Sequence, residues 1–261
     1  MNGDSSMLTV VSAERVDPAF VARYAKDDWL LAQLQASTFP FDLELTTHRW
    51  LMQDQVKRAI FATLYGELFQ TRGLRVLDVG GGISAIGREL AARHEYHLVE
   101  LGAHDPARRI QEFVESAGRG LVLHDCDWLD LPDLGAFDVV IANDLFPNVD
   151  QRLRAFVQRV APITRHLALS LTCYDSFRFY RAKRIDGDEI LTMLAWDFRQ
   201  TAQSLSHIIA DRAEVLSRAI SLDVPSAFAN GRQVCILRCH GAAEVAGHPL
   251  RKAGDDLEAP L

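Results

Sequence analysis

A carboxylate followed by spaced glycines, Asp78-Val-Gly80-Gly-Gly82, is where residue types and spacing in this chain most clearly permit chemistry. The run leading to it, Leu74, Val76, Leu77 and Val79, reads as a buried strand. After Ser84 apolar residues resume with Ile86 and Leu90 at helical spacing. Strand, tight turn and helix in that order aim free backbone N–H groups at one point. Glycine at 80 and 82 can take positive φ, and it lets a ligand approach the main chain with no Cβ in the way. Nucleotide-like ligands use such turns. Gly80-x-Gly82-x-x-Ala85 also fits a relaxed dinucleotide fingerprint. Asp78 argues against that reading, because the dinucleotide pattern keeps its strand apolar up to the first glycine.

From Asp78 onward the chain resembles the class I S-adenosylmethionine (SAM) methyltransferases, whose first motif is an acid followed by x-Gly-x-Gly; the resemblance covers about residues 70–240. It implies SAM as methyl donor or substrate, no metal, Asp78 near the methionine end of the cofactor, and Gly80 and Gly82 accommodating it. Glu100 closes an apolar run at 96–101 about twenty residues beyond the glycines. The family's acid at that place accepts both ribose hydroxyls, which suits the two acceptor oxygens of a carboxylate. Asp127, in Asp-Cys-Asp-Trp-Leu-Asp-Leu-Pro at 125–132, stands where the family accepts from the adenine amino group. Trp128 is then the neighbour of the ring, and Asp125 competes with Asp127 for the role.

At the reacting end, Asn143-Asp-Leu-Phe-Pro147 partly matches the Asn/Asp-Pro-Pro-aromatic motif of amine and amide methyltransferases in this superfamily. The resemblance implies that Asn143 accepts from a neutral amine beside the cofactor, and Asn143 therefore belongs to both the cofactor set and the catalytic set. Residues 143–148 contain no histidine, where several O-methyltransferases keep a base, and this favours nitrogen as nucleophile. Tyr174 and Tyr180 follow the fifth strand, on the other wall of the same site. An aromatic face against a buried sulfonium contributes ~0.5–2 kcal/mol. Ser204, Ser206 and His207 on the next helix are further candidates, with Ser206 included in the catalytic set; Arg178 and Arg181 either face solvent or bind a carboxylate.

Three stretches, 39–50, 142–150 and 174–180, resemble a smaller branch found in nonribosomal-peptide pathways, the azetidine-2-carboxylate synthases. Those enzymes close SAM's own amino group onto its Cγ and release methylthioadenosine. The first function implied is this lyase-type cyclisation, with a small molecule as substrate and the oligomeric state left open. Intermolecular N- or O-methyl transfer to a small molecule is the alternative, and a SAM-binding protein without catalysis is a third reading.

The elements that must position these residues fit one α/β domain of 261 residues. The expected fold is Rossmann-like: a mostly parallel seven-stranded sheet with an antiparallel last strand, helices on both faces and an N-terminal helical lid. Residues 1–70 form the cap. It begins with an irregular lead-in over 1–16, then a helix from Asp17-Pro18 carrying Phe20, Tyr24, Leu31 and Leu34. A second helix starts at Thr46 or Thr47 and carries Val56, Ile60, Leu64 and Leu68. Residues 71–240 form the core, with strands at 121–124, 137–143 and 166–172 and an insertion at 173–212. Within the insertion a helix is expected from near Asp186 through Ile190, Leu194, Leu205 and Ile209. Runs at 219–222 and 232–239 suggest a closing hairpin, and 241–261 a disordered tail.

Apolar content of 48% with 24% charged residues reads as globular, and a net charge of −7 disfavours a nucleic-acid partner. The first residues lack a signal-peptide pattern and no apolar run approaches membrane-spanning length, so the expectation is a cytoplasmic protein without a membrane partner. Four cysteines without Cys-x-x-Cys spacing read as free thiols rather than a zinc site.

Overall fold

The computed structural model describes residues 8–183, 190–206, 225–241 and 243. The chain enters through strand β1 (Leu8–Arg15), where a lead-in was expected. Leu8 and Val10 are buried while Thr9 and Val11 face out, the period-2 pattern of a half-buried edge strand. Asp17 caps helix α1 (Pro18–Tyr24) by accepting from the Phe20 N–H at 2.7 Å. Asp28 then caps a separate helix α2 (Trp29–Gln35), so the expected single helix is two. The second cap helix is likewise divided: α3 (Thr46–Gln53) ends at Asp54, whose side chain accepts from Lys57 N–H at 3.1 Å and starts α4 (Gln55–Gln70).

The core alternates as expected: β2 (Arg75–Val79), α5 (Ala85–Ala91), β3 (Glu95–Val99), α6 (Ala107–Ala117), β4 (Leu121–His124), β5 (Phe137–Ala142), α7 (Leu153–Val160) and β6 (Thr164–Cys173). After β6 come β7 (Arg178–Lys183), β8 (Ile190–Ala195), α8 (Phe198–Leu205) and β9 (Gln233–Gly241). The seven-stranded sheet has the order β1-β9-β6-β5-β2-β3-β4. Strands β2 to β6 run parallel, and β9 is antiparallel to both β6 and β1. This is the Rossmann-like methyltransferase arrangement, with the edge position beside the reversed strand filled by the N-terminal strand. One apolar layer, including Leu34, Ile60, Tyr65 and Phe113, packs the cap helices, α5 and α6 on one face; the other, including Phe146, Phe156 and Leu205, packs α7 and α8 on the opposite face.

The helix expected from Asp186 through Leu194 is not formed over the described part of that segment. Strands β7 and β8 pair there as an antiparallel hairpin, with Tyr180 opposite Met193. Ile190 and Leu194 are four apart, and that spacing also keeps two residues on one face of a strand, so the periodicity did not separate the two cases. Asp197 closes a capping box with Gln200 and starts α8 afterwards. The run at 219–222, His207, Ile209 and the tail beyond 243 lie outside the described residues. Among the described residues no helix is long and apolar enough to cross a membrane, and the four cysteines are unpaired.

Candidate functional site

The glycine turn after β2 meets two cavities, and Gly80 lines both. Gly80 and Gly82 take φ of 71° and 73°, where a side chain is strained. The turn is held from three sides. Gly80 N–H donates to Val99 O at 2.9 Å, which ties it to the end of β3. From above, α3 packs on it so closely that a Cβ at Gly82 would lie 2.0 Å from Thr47 Oγ1. From beneath, the Asp78 carboxylate lies so near that a Cβ at Gly81 would fall 2.2 Å from its Oδ2.

Asp78, expected from sequence near the methionine end of the cofactor, lies directly beneath the glycine turn. It is buried and lines neither cavity. Its oxygens accept from Tyr65 Oη at 3.1 Å and Tyr96 Oη at 2.5 Å. Burial pushes its pKa up to about 7; the two tyrosine hydroxyls oppose the rise and the charge of Glu100 adds to it.

The larger cavity, about 490 Å³, opens at the carboxyl ends of β2 and β3 and is lined by Glu100, Cys126, Asp127, Trp128 and Arg152 among others. Glu100 follows β3 directly, and its own N–H donates to His124 O at 3.1 Å. Burial raises its pKa, while backbone N–H groups of Gly102 and Leu101 and the charge of His104 lower it. Asp127 caps a short 3-10 turn through Leu129 N–H at 2.8 Å, and its other oxygen accepts from Arg152 Nη2 at 2.7 Å. That arginine holds its carboxyl below the usual range. Asp125 is exposed and does not line the cavity, so of the two competing acids Asp127 is the one at its wall. Trp128 is buried, donates from Nε1 to Asp150 at 2.7 Å, and carries the Arg152 guanidinium 4.8 Å from its ring centroid.

The smaller cavity, about 60 Å³, lies between the turn and the cap, lined by Thr47, Trp50, Lys57, Phe61, Asn143, Asp144 and Arg232 among others. Asn143 directly follows β5, and its Oδ1 accepts from Ser170 Oγ at 2.6 Å; Ser170 in turn accepts from Asp144 N–H at 2.7 Å. Helix α3 is docked over this region by Thr46, which donates to Asp105 through its N–H and to His104 O through its hydroxyl. Thr47 and Trp50 of this helix line the cavity.

Tyr174 and Tyr180 are brought together, their hydroxyls 3.1 Å apart, and Tyr180 donates to Asn148 Oδ1 at 2.9 Å. They join the β7–β8 hairpin to the segment after β5 but line neither cavity. Burial raises the Tyr174 pKa, and Arg232 and Asp144 are near enough to influence it. Ser206 is not brought to the site: it is exposed after α8, and its hydroxyl donates to Gln203 O at 2.9 Å on its own helix. Ser204 similarly donates to Thr201 O. Sequence reasoning missed Arg152, Lys57, Asp144 and Arg232, which line the cavities, and the two tyrosines that hold Asp78.

No family model and no curated protein matches this sequence. Some solved structures show a partial likeness to it. Coclaurine N-methyltransferase, bound to N-methylheliamine and SAH, is 14% identical over 85% of this chain and 91% of its own, with a TM-score of 0.46. Magnesium protoporphyrin IX methyltransferase from Synechocystis PCC 6803, with bound SAM, is 15% identical over 86% of this chain and 96% of its own, with a TM-score of 0.45. A SAM-dependent methyltransferase from Clostridium acetobutylicum ATCC 824 is 13% identical, covering 84% and 100%, with a TM-score of 0.46.

Proposed function

We propose that this chain is an enzyme that consumes SAM at an amine, and that its reaction is closure of SAM's own α-amino group onto Cγ to give azetidine-2-carboxylate. The observation that carries the reading is the size of the space beside the glycine turn. At about 60 Å³, roofed by Thr47 and Trp50, it has room for a few heavy atoms of a side arm. An intermolecular methyltransferase needs a second organic molecule there.

When bound, SAM supplies a sulfonium-activated carbon and a tethered neutral amine, so that the new C–N bond forms as the C–S bond breaks, leaving methylthioadenosine and a protonated ring nitrogen. The side chains at the two cavities fit that molecule. Glu100 offers two acceptor oxygens to the ribose hydroxyls from the larger cavity, with Asp127 and Trp128 toward the base. The glycine turn lets the ligand pass close to main chain at Gly80, and Asp78 holds that turn in shape from beneath. Asn143 Oδ1 is fixed by Ser170 and keeps a second lone pair for the amine. Tyr174 and Tyr180 act at one remove, bracing the segment after β5 through their paired hydroxyls and Asn148. Ser206 takes no part.

The test is incubation with SAM alone, followed by mass spectrometry. Methylthioadenosine and a four-membered cyclic amino acid are expected. S-adenosylhomocysteine appearing only with an added acceptor would replace cyclisation by methyl transfer. Calorimetry on Glu100→Ala tests SAM use itself: loss of two hydrogen bonds to a charged acceptor, each ~1.5–3 kcal/mol, should weaken affinity about a hundredfold or more.

A further inference from the structure

The smaller cavity ends on charges that the reading above leaves unused. Arg232 Nη1 donates to Asp144 Oδ1 at 2.8 Å, and Lys57 Nζ lies 3.8 Å from Asp144 Oδ2. All three line the cavity, so two cations share one carboxylate there. The Arg232 side chain is nine-tenths buried, and its Nε is buried without a hydrogen-bond partner. Its guanidinium also covers the Phe228 ring at 4.0 Å. Lys57 is in the first turn of the 16-residue helix α4, where the helix dipole is already positive; its ammonium lies 4.2 Å from the Trp50 ring centroid. Burial depresses its pKa, Arg232 depresses it further, and Asp144 and Asp54 oppose this.

This arrangement is costly as it stands. A nine-tenths buried guanidinium and a largely buried ammonium share the Asp144 carboxylate, which is itself a third exposed, so their charges are only partly compensated inside the cavity. Asp144 itself holds φ at 54°, uncommon for a residue with a side chain. An anion in the cavity would balance the charge of the Arg232 and Lys57 side chains that line it.

We propose that Lys57 and Arg232 form a subsite for a ligand carboxylate, with Asp144 as the positioning residue that orients the guanidinium. A carboxylate matches the planar donor fork of arginine, and the lysine adds a point charge. Leu51, Ile60, Phe61 and Val234 wall the same cavity and suit the methylene part of an amino-acid arm. The inference rests on SAM being the ligand of the glycine turn. The carboxylate has two possible sources: SAM's methionine arm, reaching in past Gly80, or a separate small carboxylic acid.

Calorimetry of three ligands on the full chain and on Lys57→Met and Arg232→Met separates these. The ligands are SAM, decarboxylated SAM, which keeps the amine, and methylthioadenosine, which has neither group. The wild type should prefer SAM to decarboxylated SAM by about tenfold or more, and each variant should lose most of that preference while holding methylthioadenosine as before. If the wild type shows no such preference but, loaded with methylthioadenosine, binds propionate in a way both variants abolish, the subsite takes a separate ligand's carboxylate. Indifference to the carboxylate in both arms, or variants that keep the full preference, overturns the proposal. Failure of the wild type to bind methylthioadenosine and SAM at all would instead overturn the SAM reading beneath it. Should Arg232→Met not fold, Lys57→Met decides alone, since its side chain is partly exposed.

Discussion

Replacing Asp78 by Asn should stabilise the protein at pH 8 and slightly destabilise it at pH 4. Asp78 is buried beneath the glycine turn, and its pKa is raised from 3.8 to about 7, chiefly by desolvation. Because the folded-state pKa lies above the unfolded one, the folded chain holds the extra proton between the two values. The stability this contributes is fully present below about pH 4 and is lost as pH rises through about 7. A difference of about 3 pH units corresponds to roughly 4 kcal/mol. Asn cannot ionise in either state and so escapes the loss. Its amide nitrogen meets one tyrosine hydroxyl that had donated to a carboxylate oxygen, and turning that hydroxyl round costs about 1 kcal/mol. The expected net gain at pH 8 is about 3 kcal/mol, or several degrees in Tm for a chain of this size, and near pH 4 only the ~1 kcal/mol cost remains. Urea unfolding of both proteins at pH 4, 6 and 8 measures it. A gap that does not change with pH, or an Asn variant less stable at pH 8, would refute the reasoning. Glu100→Gln should narrow the gap, since the Glu100 charge contributes to the rise.

Other expectations follow from the same contacts. Gly82→Ala combines a φ of 73° with a Cβ 2.0 Å from Thr47 Oγ1, so it should cost roughly 2 kcal/mol or more in strain and displacement, read as a lower Tm; full stability in that variant would mean that α3 is not packed on the turn. Asn143→Ala should lower kcat by more than it weakens SAM binding, the mark of an interaction made chiefly in the transition state, and equal losses in turnover and calorimetric affinity would count against that role. Removal of residues 1–16 strips β1 from β9 and exposes that strand's edge, which should appear as self-association in light scattering.

The central parallel strands and the glycine turn were legible because their cues are local: apolar runs, then Asp78, Gly80 and Gly82 within five residues of one another. Strand β1 was not, although Leu8 and Val10 carry the right alternation. Its partner lies at the other end of the chain, Leu8 opposite Gly241, and nothing near residue 8 announces it. The hairpin in the insertion failed for a different reason, since an i, i+4 apolar pair is consistent with either period. The Asp78 environment was hidden because Tyr65 and Tyr96 each sit in an apolar run, where a tyrosine reads as core and its hydroxyl goes uncounted.

The charges at the site were the least legible part, and they add a direction to it. Lys57, Asp144 and Arg232 come from a cap helix, a strand end and the approach to the last strand, and each alone resembles an ordinary surface charge. Brought together, they make one end of the path cationic. At the other end, Glu100 keeps a carboxylate at the larger cavity, and Arg152 neutralises Asp127 rather than leaving two free acids side by side. Gly80 is common to both cavities, with the Leu145 side chain 3.3 Å from where its Cβ would be. A ligand with a diol at one end and a carboxylate at the other meets opposite charge in only one orientation, and the reverse orientation sets its carboxylate against Glu100. Such like-charge contact in a low-dielectric site costs more than the attractive pairing contributes on the surface. In the proposed binding mode the Glu100 charge would therefore contribute to orientation alongside the Lys57 and Arg232 charges. Glu100→Gln should then weaken discrimination between SAM and its decarboxylated form less than Arg232→Met does, while permitting carboxylates to enter the larger cavity that the native chain excludes.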